Sequence, residues 1–249
     1  GEIMVNIVTS REDTDLLSPI TATLISQFPN ITSIVNNITT RKAGISTGEH
    51  QIVLHGNEYI VEKLGNYEFM ISADSFFQTN TRQAEKLYQI VLEEAKLTGK
   101  EIVYDLFCGT GSISLNISKH AKMVYGFELV MSAAQDAMQN AVHNKVKNAW
   151  FFAGNLENLF RENPEAKDLD LPNVVIVDPP RAGLHQKTVE DLLEKSPNRI
   201  VYVSCNPATQ ARDVALLCRE DYKLKRLRPV DMFPHTPHVE NVATMIRKK

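Results

Sequence analysis

The sequence predicts an α/β protein: a doubly wound parallel sheet over residues 73–249, preceded by a small α+β subdomain over residues 1–72. Three observations carry this reading. After Gly99, short apolar runs alternate with helical stretches, the pattern of strands joined by right-handed crossovers. The run over residues 200–203 is apolar throughout, as suits an inner strand covered on both faces. Before residue 73 the punctuation differs: Gly44, Gly48, Gly56 and Gly65 separate short strands in the manner of hairpins.

In order along the chain, residues 3–8 form a strand-like run, Glu12-Asp13 an acidic turn, and residues 16–28 an amphipathic helix that Pro29-Asn30 stops. Residues 31–38 are β-branched and alternate as a strand does. Strands over 51–54, 58–64 and 67–71 complete a unit of about seventy residues, smaller than a typical domain and expected to pack on its neighbour. Phe76-Phe77-Gln78 precede a helix; Asn80 with Gln83 resembles a capping box, and Ala84, Leu87, Val91 and Ala95 share one helix face. The two phenylalanines read most simply as a hydrophobic staple or core anchors, with a loop presenting Gln78 to a ligand as the sharper alternative. Strands over 102–107, 123–127, 149–153, 174–177 and 199–204 alternate with helices over 113–119, 132–144, 188–195 and 208–219. Strands over 222–229 and 242–247 close the sheet.

Composition narrows the function classes. A chain of 249 residues, 43% hydrophobic and 23% charged, can bury a substantial core, yet no run reaches the roughly 20 apolar residues of a membrane span. With no signal-peptide pattern, a cytoplasmic location and no membrane partner are expected. A start at Gly1 rather than methionine is expected of an excised portion or a processed tag. A net charge of -3 argues against coating nucleic acid by bulk electrostatics, so any RNA contact would use a local patch. Cys108, Cys205 and Cys218 are too few for a disulfide framework and lack paired metal-ligand spacing, so no structural metal is expected.

Four stretches carry chemistry. The turn 105–112, Asp-Leu-Phe-Cys-Gly-Thr-Gly-Ser, places Gly109 and Gly111 at a strand-to-helix junction where a ligand can approach the backbone. A dinucleotide fingerprint would need glycine at 114, where Ser114 stands. Glu128 ends the next strand and can accept both hydroxyls of a ribose. S-adenosylmethionine fits better than NAD, because it has a ribose but no pyrophosphate and its sulfonium tolerates nearby carboxylates. Asp178-Pro179-Pro180-Arg181 forms a rigid turn that holds Asp178 at the ligand edge of the sheet, and the absence of an aromatic at 181 disfavours amino methylation. Cys205 follows a strand directly, at the edge where catalytic groups gather, although most lone cysteines are small buried hydrophobes.

Taken together, Phe76-Phe77-Gln78 with Asn80, the 105–111 turn, Glu128, Asp178-Pro179-Pro180-Arg181, the run Ser204-Cys205-Asn206-Pro207-Ala208-Thr209 and the terminal stretch 231–240 closely resemble the RNA uracil-5-methyltransferases of ribosomal or transfer RNA, in the order these motifs take in that family. The resemblance implies a Rossmann-like methyltransferase sheet, S-adenosyl-L-methionine as cofactor and RNA as substrate, with ribosomal RNA favoured over transfer RNA and no protein partner. It implies Cys205 as nucleophile, Glu240 as base, and Gln78, Phe107, Glu128 and Asp178 as contacts to the methyl donor, Asp178 also lying near the target base. The chemistry agrees. Uracil C5 becomes electron-rich only after a thiolate adds at C6, and a base must then remove the C5 proton before the thiolate can leave. His235 and His238 rank behind Glu240 for that role. A target inside a stack must be flipped out, and Phe76, Phe233, Arg181 and Arg212 are candidates to hold it.

Some positions depart from the family pattern. Phe107 stands where many relatives have tyrosine, and Asn155 where an acid often meets the adenine amino group. The RNA-binding barrel of many relatives, and the iron-sulfur site of some, have no counterpart in residues 1–249. The rivals are an RNA cytosine-5-methyltransferase, which tends to carry a cysteine where Asp178 stands, a small-molecule methyltransferase, and a non-catalytic RNA-binding module that would need neither Cys205 nor Glu240.

Overall fold

The computed structural model describes residues 1–40, 48–154, 166, 168–219 and 221–248. The N-terminal sheet has the order β1-β2-β3, from β1 (Ile3–Thr9), β2 (Ile31–Ile38) and β3 (His50–Gly56), with α1 (Thr14–Gln27) between the first two. That helix carries the chain back, so β1 and β2 run parallel, while β3 returns antiparallel. The Asp13 carboxylate caps α1 by accepting the Leu16 N–H at 3.1 Å. The expected alternation along β2 fails, because residues 33–37 are all buried. Polar members of that run find partners inside: the Asn36 amide donates to Ile7 O at 2.8 Å and to Thr9 Oγ1 at 3.0 Å, and that of Asn37 to Asp74 at 3.0 Å.

A separate hairpin, β4 (Tyr59–Leu64) and β5 (Tyr67–Ser72), follows, and then α2 (Thr81–Ala95). The α/β elements are β6 (Ile102–Leu106), α3 (Ser112–Ser118), β7 (Met123–Glu128), α4 (Met131–His143), β8 (Ala149–Ala153), β9 (Val174–Val177), α5 (Gln186–Lys195), β10 (Arg199–Ser204), α6 (Pro207–Arg219), β11 (Tyr222–Val230) and β12 (Glu240–Arg247). Their seven-stranded sheet has the order β11-β12-β10-β9-β6-β7-β8. Five strands, β6 to β10, are mutually parallel. The expectation of a parallel sheet is corrected at one strand, since β12 pairs antiparallel with both β10 and β11. Its connection to β11 is a short turn over 231–239, and a strand that follows its neighbour without a crossover must reverse.

Period-2 alternation gives the sheet two cores. Val103, Ile176, Val201, Val203 and Val242 face α2, α3 and α4, whereas Tyr104, Val175, Val177, Ile200, Tyr202 and Ala243 face α5 and α6. The chain switches faces between β6 and β9, so the crevice of an open α/β sheet lies at the carboxyl ends of these two strands.

The hairpin joins the first of these cores through Leu64, Tyr67 and Phe69. Its edge is completed by α4. The Asn140 amide accepts the Met70 N–H at 2.7 Å and donates to Met70 O at 3.3 Å, and one turn on Asn144 does the same to Glu68 at 3.0 and 2.6 Å. Two asparagines at i, i+4 thus serve β5 as a neighbouring strand would. Asn140 is fully buried and also donates to Thr110 O at 3.2 Å, beside the glycine-rich turn. Asn140→Ala is expected to cost about 2–3 kcal/mol, and Asn144→Ala about 1 kcal/mol or less, because only the first leaves buried groups unpaired. Urea denaturation checks this, and equal costs would contradict it.

Candidate active site

The antiparallel pairing of β10 with β12 brings together the two residues expected to react, Cys205 and Glu240. Its register ends at Ser204 opposite Asn241, so Cys205 and Glu240 lie just beyond the last pair at the same edge, close enough for the carboxylate to act on the thiol. Gln210 ties the two strands, its amide donating to Tyr202 O at 2.9 Å and Asn241 O at 3.0 Å. Asn206 turns the chain out of β10: its N–H donates to Ser204 Oγ at 3.0 Å, and its Oδ1 accepts the Ala208 N–H at 3.1 Å at the start of α6. Its amide also donates to Arg181 O at 3.0 Å, and Thr209 Oγ1 donates to the same oxygen at 3.1 Å. The residues that follow the cysteine thereby hold the loop that follows Asp178.

Electrostatics at this edge oppose one another. Burial pushes the half-buried Cys205 thiol above its usual range, and the Glu240 carboxylate adds to the shift; a hydrogen bond from Arg181 and its charge pull it back, against a further rise from Asp178. Burial also raises Glu240, and Arg181 opposes this. Asp178 is pushed well above the carboxylate range, by burial first and then by Glu240 and Asp105. Arg181 had been expected only to meet phosphates or the extruded base. Its effect on the thiol escapes sequence reasoning because it depends on the fold bringing residues 181 and 205 near one another.

The second part of the site lies at the switch point. Phe107 takes a left-handed conformation, φ 65°, so the expected strand ends one residue earlier, at Leu106. The Phe107 and Cys108 N–H groups both donate to Phe127 O, at 2.8 and 3.1 Å, which fixes the turn. Gly109, at φ 54°, faces open space where a side chain would stand, and its N–H donates to Glu128 Oε2 at 2.9 Å. Glu128 Oε1 accepts the Val130 N–H at 2.9 Å, so the carboxylate is tied to the turn through Gly109 and Val130, although neither Glu128 nor Gly111 is among the residues that line the pocket below. Gly111 serves packing instead: at φ 80°, a Cβ there would sit 3.0 Å from Phe151 and 3.1 Å from Ala137.

Gln78, Phe107, Gly109 and Asp178 line one pocket, together with Ser112 at the end of the expected turn and Tyr88, which sequence reasoning missed. Tyr88 falls on the apolar face of α2 and so reads as core, yet its hydroxyl lies 2.8 Å from Ser112 Oγ at the pocket. Beneath the turn, Asp105 is fully buried. Ser114 Oγ donates to its Oδ2 at 2.6 Å, while Oδ1 has no partner among the described residues. Burial, reinforced by Glu128, raises its carboxyl to about 7. A pocket with the Asp178 carboxyl in its wall, an open glycine at its turn and the carboxylates of Asp105 and Glu128 around that turn suits a cationic ligand better than a pyrophosphate.

The loop between β5 and α2 brings Gln78 to this pocket and is held at both ends. Ser72 and Ser75 hydroxyls donate to Asp136 Oδ2 at 2.7 and 2.5 Å. Asn80 Oδ1 accepts the Gln83 N–H at 3.2 Å, the capping half of the expected box. Phe77 packs on the core beside Phe69, ring centroids 5.6 Å apart, whereas Phe76 is 72% exposed at the pocket. Phe77 is thus an anchor and Phe76 is not. His235 and His238 are both exposed, and Glu240 is the buried group beside the thiol. Asn155 and Gly44 lie outside the described residues.

A family model described as tRNA (Uracil-5-)-methyltransferase matches residues 20–248. Among curated relatives, an uncharacterized RNA methyltransferase of Chlorobaculum tepidum is 43% identical over 247 residues, covering 99% of this chain and 51% of the relative. Another, of Porphyromonas gingivalis, is 46% identical over 249 residues, covering 99% and 53%. The chain spans about half the length of the curated relatives it matches. A solved structure of Pyrococcus abyssi tRNA (uracil-54, C5)-methyltransferase in complex with S-adenosyl-L-homocysteine superposes with TM-score 0.76 and 35% identity, over 98% of this chain and 56% of that one. The Methanocaldococcus jannaschii tRNA m1G37 methyltransferase, at TM-score 0.61 and 16% identity, shares the fold.

The opposing charges around Cys205 make a signed prediction for its ionisation. Arg181→Ala is expected to move the midpoint of Cys205 alkylation by iodoacetamide to higher pH, because the cation that favours the thiolate is gone. Glu240→Gln is expected to move it lower, because a repelling charge is gone. Rates are read site by site by peptide mass spectrometry, which separates Cys205 from Cys218. Shifts of the same sign would contradict the assigned arrangement.

Proposed function

The chain belongs to the tRNA (uracil-5-)-methyltransferase family, and on that premise we propose that it methylates C5 of a uridine in RNA, with S-adenosyl-L-methionine as donor and a transient bond from Cys205 to uracil C6. One observation supports the reading above all: β10 ends and β12 begins at one sheet edge, so that Cys205 and the buried Glu240 follow directly on the last register pair, and the carboxyl of Asp178, which lines the glycine-opened pocket, acts on the same thiol. When bound, S-adenosyl-L-methionine supplies an electrophilic methyl group. Gln78, Phe107, Gly109, Glu128 and Asp178 would hold it, with Asp105 beneath the turn as a further carboxylate for its positive charge. Gly111 acts at one remove, by letting the turn pack on Phe151.

The chain's own residues then divide the work. Arg181 favours the Cys205 thiolate, which adds to C6 and makes C5 electron-rich. Asp178, whose carboxyl is pushed well above its usual range by burial and by neighbouring carboxylates, lines the donor pocket beside this reaction. After C5 has gained its methyl group, Glu240 accepts the C5 proton, and the ring expels the thiolate. The raised carboxyl of Glu240 makes it a stronger base than an exposed glutamate. Exposed Phe76 is placed to meet the extruded base. In this reading residues 1–72 form a subdomain that supports the methyltransferase domain over 73–249, and the enzyme works in the cytoplasm, where its RNA is.

Incubation with methyl-labelled S-adenosyl-L-methionine and either ribosomal or transfer RNA, followed by nucleoside analysis, is expected to yield 5-methyluridine. The RNA that is labelled separates the ribosomal target favoured by the motif pattern from a transfer-RNA target. Cys205→Ala is expected to lose activity by at least about 1000-fold, or about 4 kcal/mol of barrier. Glu240→Gln is expected to stall with RNA covalently attached. Labelled 5-methylcytidine, turnover without RNA, or full activity in Cys205→Ala would overturn the reading.

A further inference from the structure

The donor-side loop before α2 and the loop that delivers Glu240 are 152 residues apart in sequence, yet one side chain touches both. Asn80 Oδ1 accepts the Gln83 N–H at 3.2 Å as the N-cap of α2, while its Nδ2 donates to the main-chain oxygen of Met232 at 2.9 Å. Gln78 lies two residues before this amide. Met232 is fully buried and opens the 231–239 turn, in which Thr236 donates to Phe233 O through its hydroxyl at 2.7 Å and its N–H at 3.1 Å. The His238 N–H then donates to Thr236 Oγ1 at 3.2 Å, two residues before Glu240. Phe77 and Phe233 pack against the same core on either side of the link.

We infer that Asn80 is a positioning residue for methyl transfer: its amide clamps the loop that carries Gln78 to the loop that carries Glu240, and so sets the donor pocket against the reactive pair. This rests on the proposed uridine methylation. The residue type is informative, because capping α2 needs an acceptor and holding the Met232 carbonyl needs a donor of longer reach. Asparagine supplies both. Serine keeps the cap and is too short for the bridge, and aspartate keeps the cap but turns an acceptor toward the carbonyl. A misplacement of about 1 Å between reacting groups can lower a rate on the order of 100-fold, so a clamp of this kind acts on the rate constant.

The test compares Asn80→Ser, Asn80→Asp and Asn80→Ala in the full chain. Expected for Ser and Asp are a thermal midpoint near that of the unaltered protein, faster amide hydrogen exchange over residues 231–239, and single-turnover methyl transfer on the order of 10- to 100-fold slower, with the donor dissociation constant little changed. Asn80→Ala is expected to lose thermal stability as well, since the cap goes with the clamp. Ser and Asp variants with unaltered exchange would overturn the clamp, leaving Asn80 as a helix cap. Altered exchange with an unaltered rate would overturn its positioning role. If the unaltered protein methylates no uridine in RNA, the proposed function fails by itself, and the exchange measurement still decides whether the two loops are joined.

Discussion

The reversal of β12 is the constraint on which the rest of the site depends. A sheet of parallel strands alone gathers residues at carboxyl ends, and a residue that begins a strand would fall at the far edge. Because β12 runs antiparallel to β10, its first residue, Glu240, reaches the edge where β10 ends, next to the last register pair, Ser204 and Asn241, that Cys205 follows. Val242 and Ala243 anchor the strand in opposite cores. A slip of one residue would turn both onto the wrong faces, so the packing that stabilises the sheet also aligns thiol and carboxylate.

The second constraint is charge. Asp105, Glu128, Asp178 and Glu240 converge on one edge, and burial makes three of them harder to ionise. An arrangement of this kind works against folding and would be relieved by a cationic ligand. It also works against a cysteine anion, and Arg181, held through its carbonyl by Asn206 and Thr209, is the charge that opposes this. The motif after the cysteine is therefore more than a helix start, since two of its side chains fix the loop that bears the opposing cation.

Much of this was legible in the sequence. Apolar runs identified the inner strands within a residue or two, because strands covered on both faces leave a continuous signature. Of the residues read as donor contacts, Gln78, Phe107, Gly109 and Asp178 line one pocket and Gly111 and Glu128 are not among its lining; each of the four stands at an element boundary where a motif is readable. Three things were not legible. The direction of β12 depends on what lies beside it, and composition carries no direction. Tyr88 satisfies a helical apolar stripe, so its place at the pocket is masked by its place in the core. Burial throughout residues 33–37 defeats alternation, because Asn36 and Asn37 find their partners in distant segments.

The most direct measurement is mass spectrometry of the protein mixed with S-adenosyl-L-methionine and RNA in which uridine is replaced by 5-fluorouridine. Fluorine at C5 cannot leave as a proton, so Glu240 has nothing to remove and the bond to the ring persists. A methylated RNA adduct mapped to Cys205 and absent in Cys205→Ala is the expected result. An enzyme that makes 5-methyluridine in ordinary RNA yet forms no adduct with the fluorinated RNA, or forms it at another residue, would contradict the pairing of Cys205 with Glu240 as the centre of the reaction.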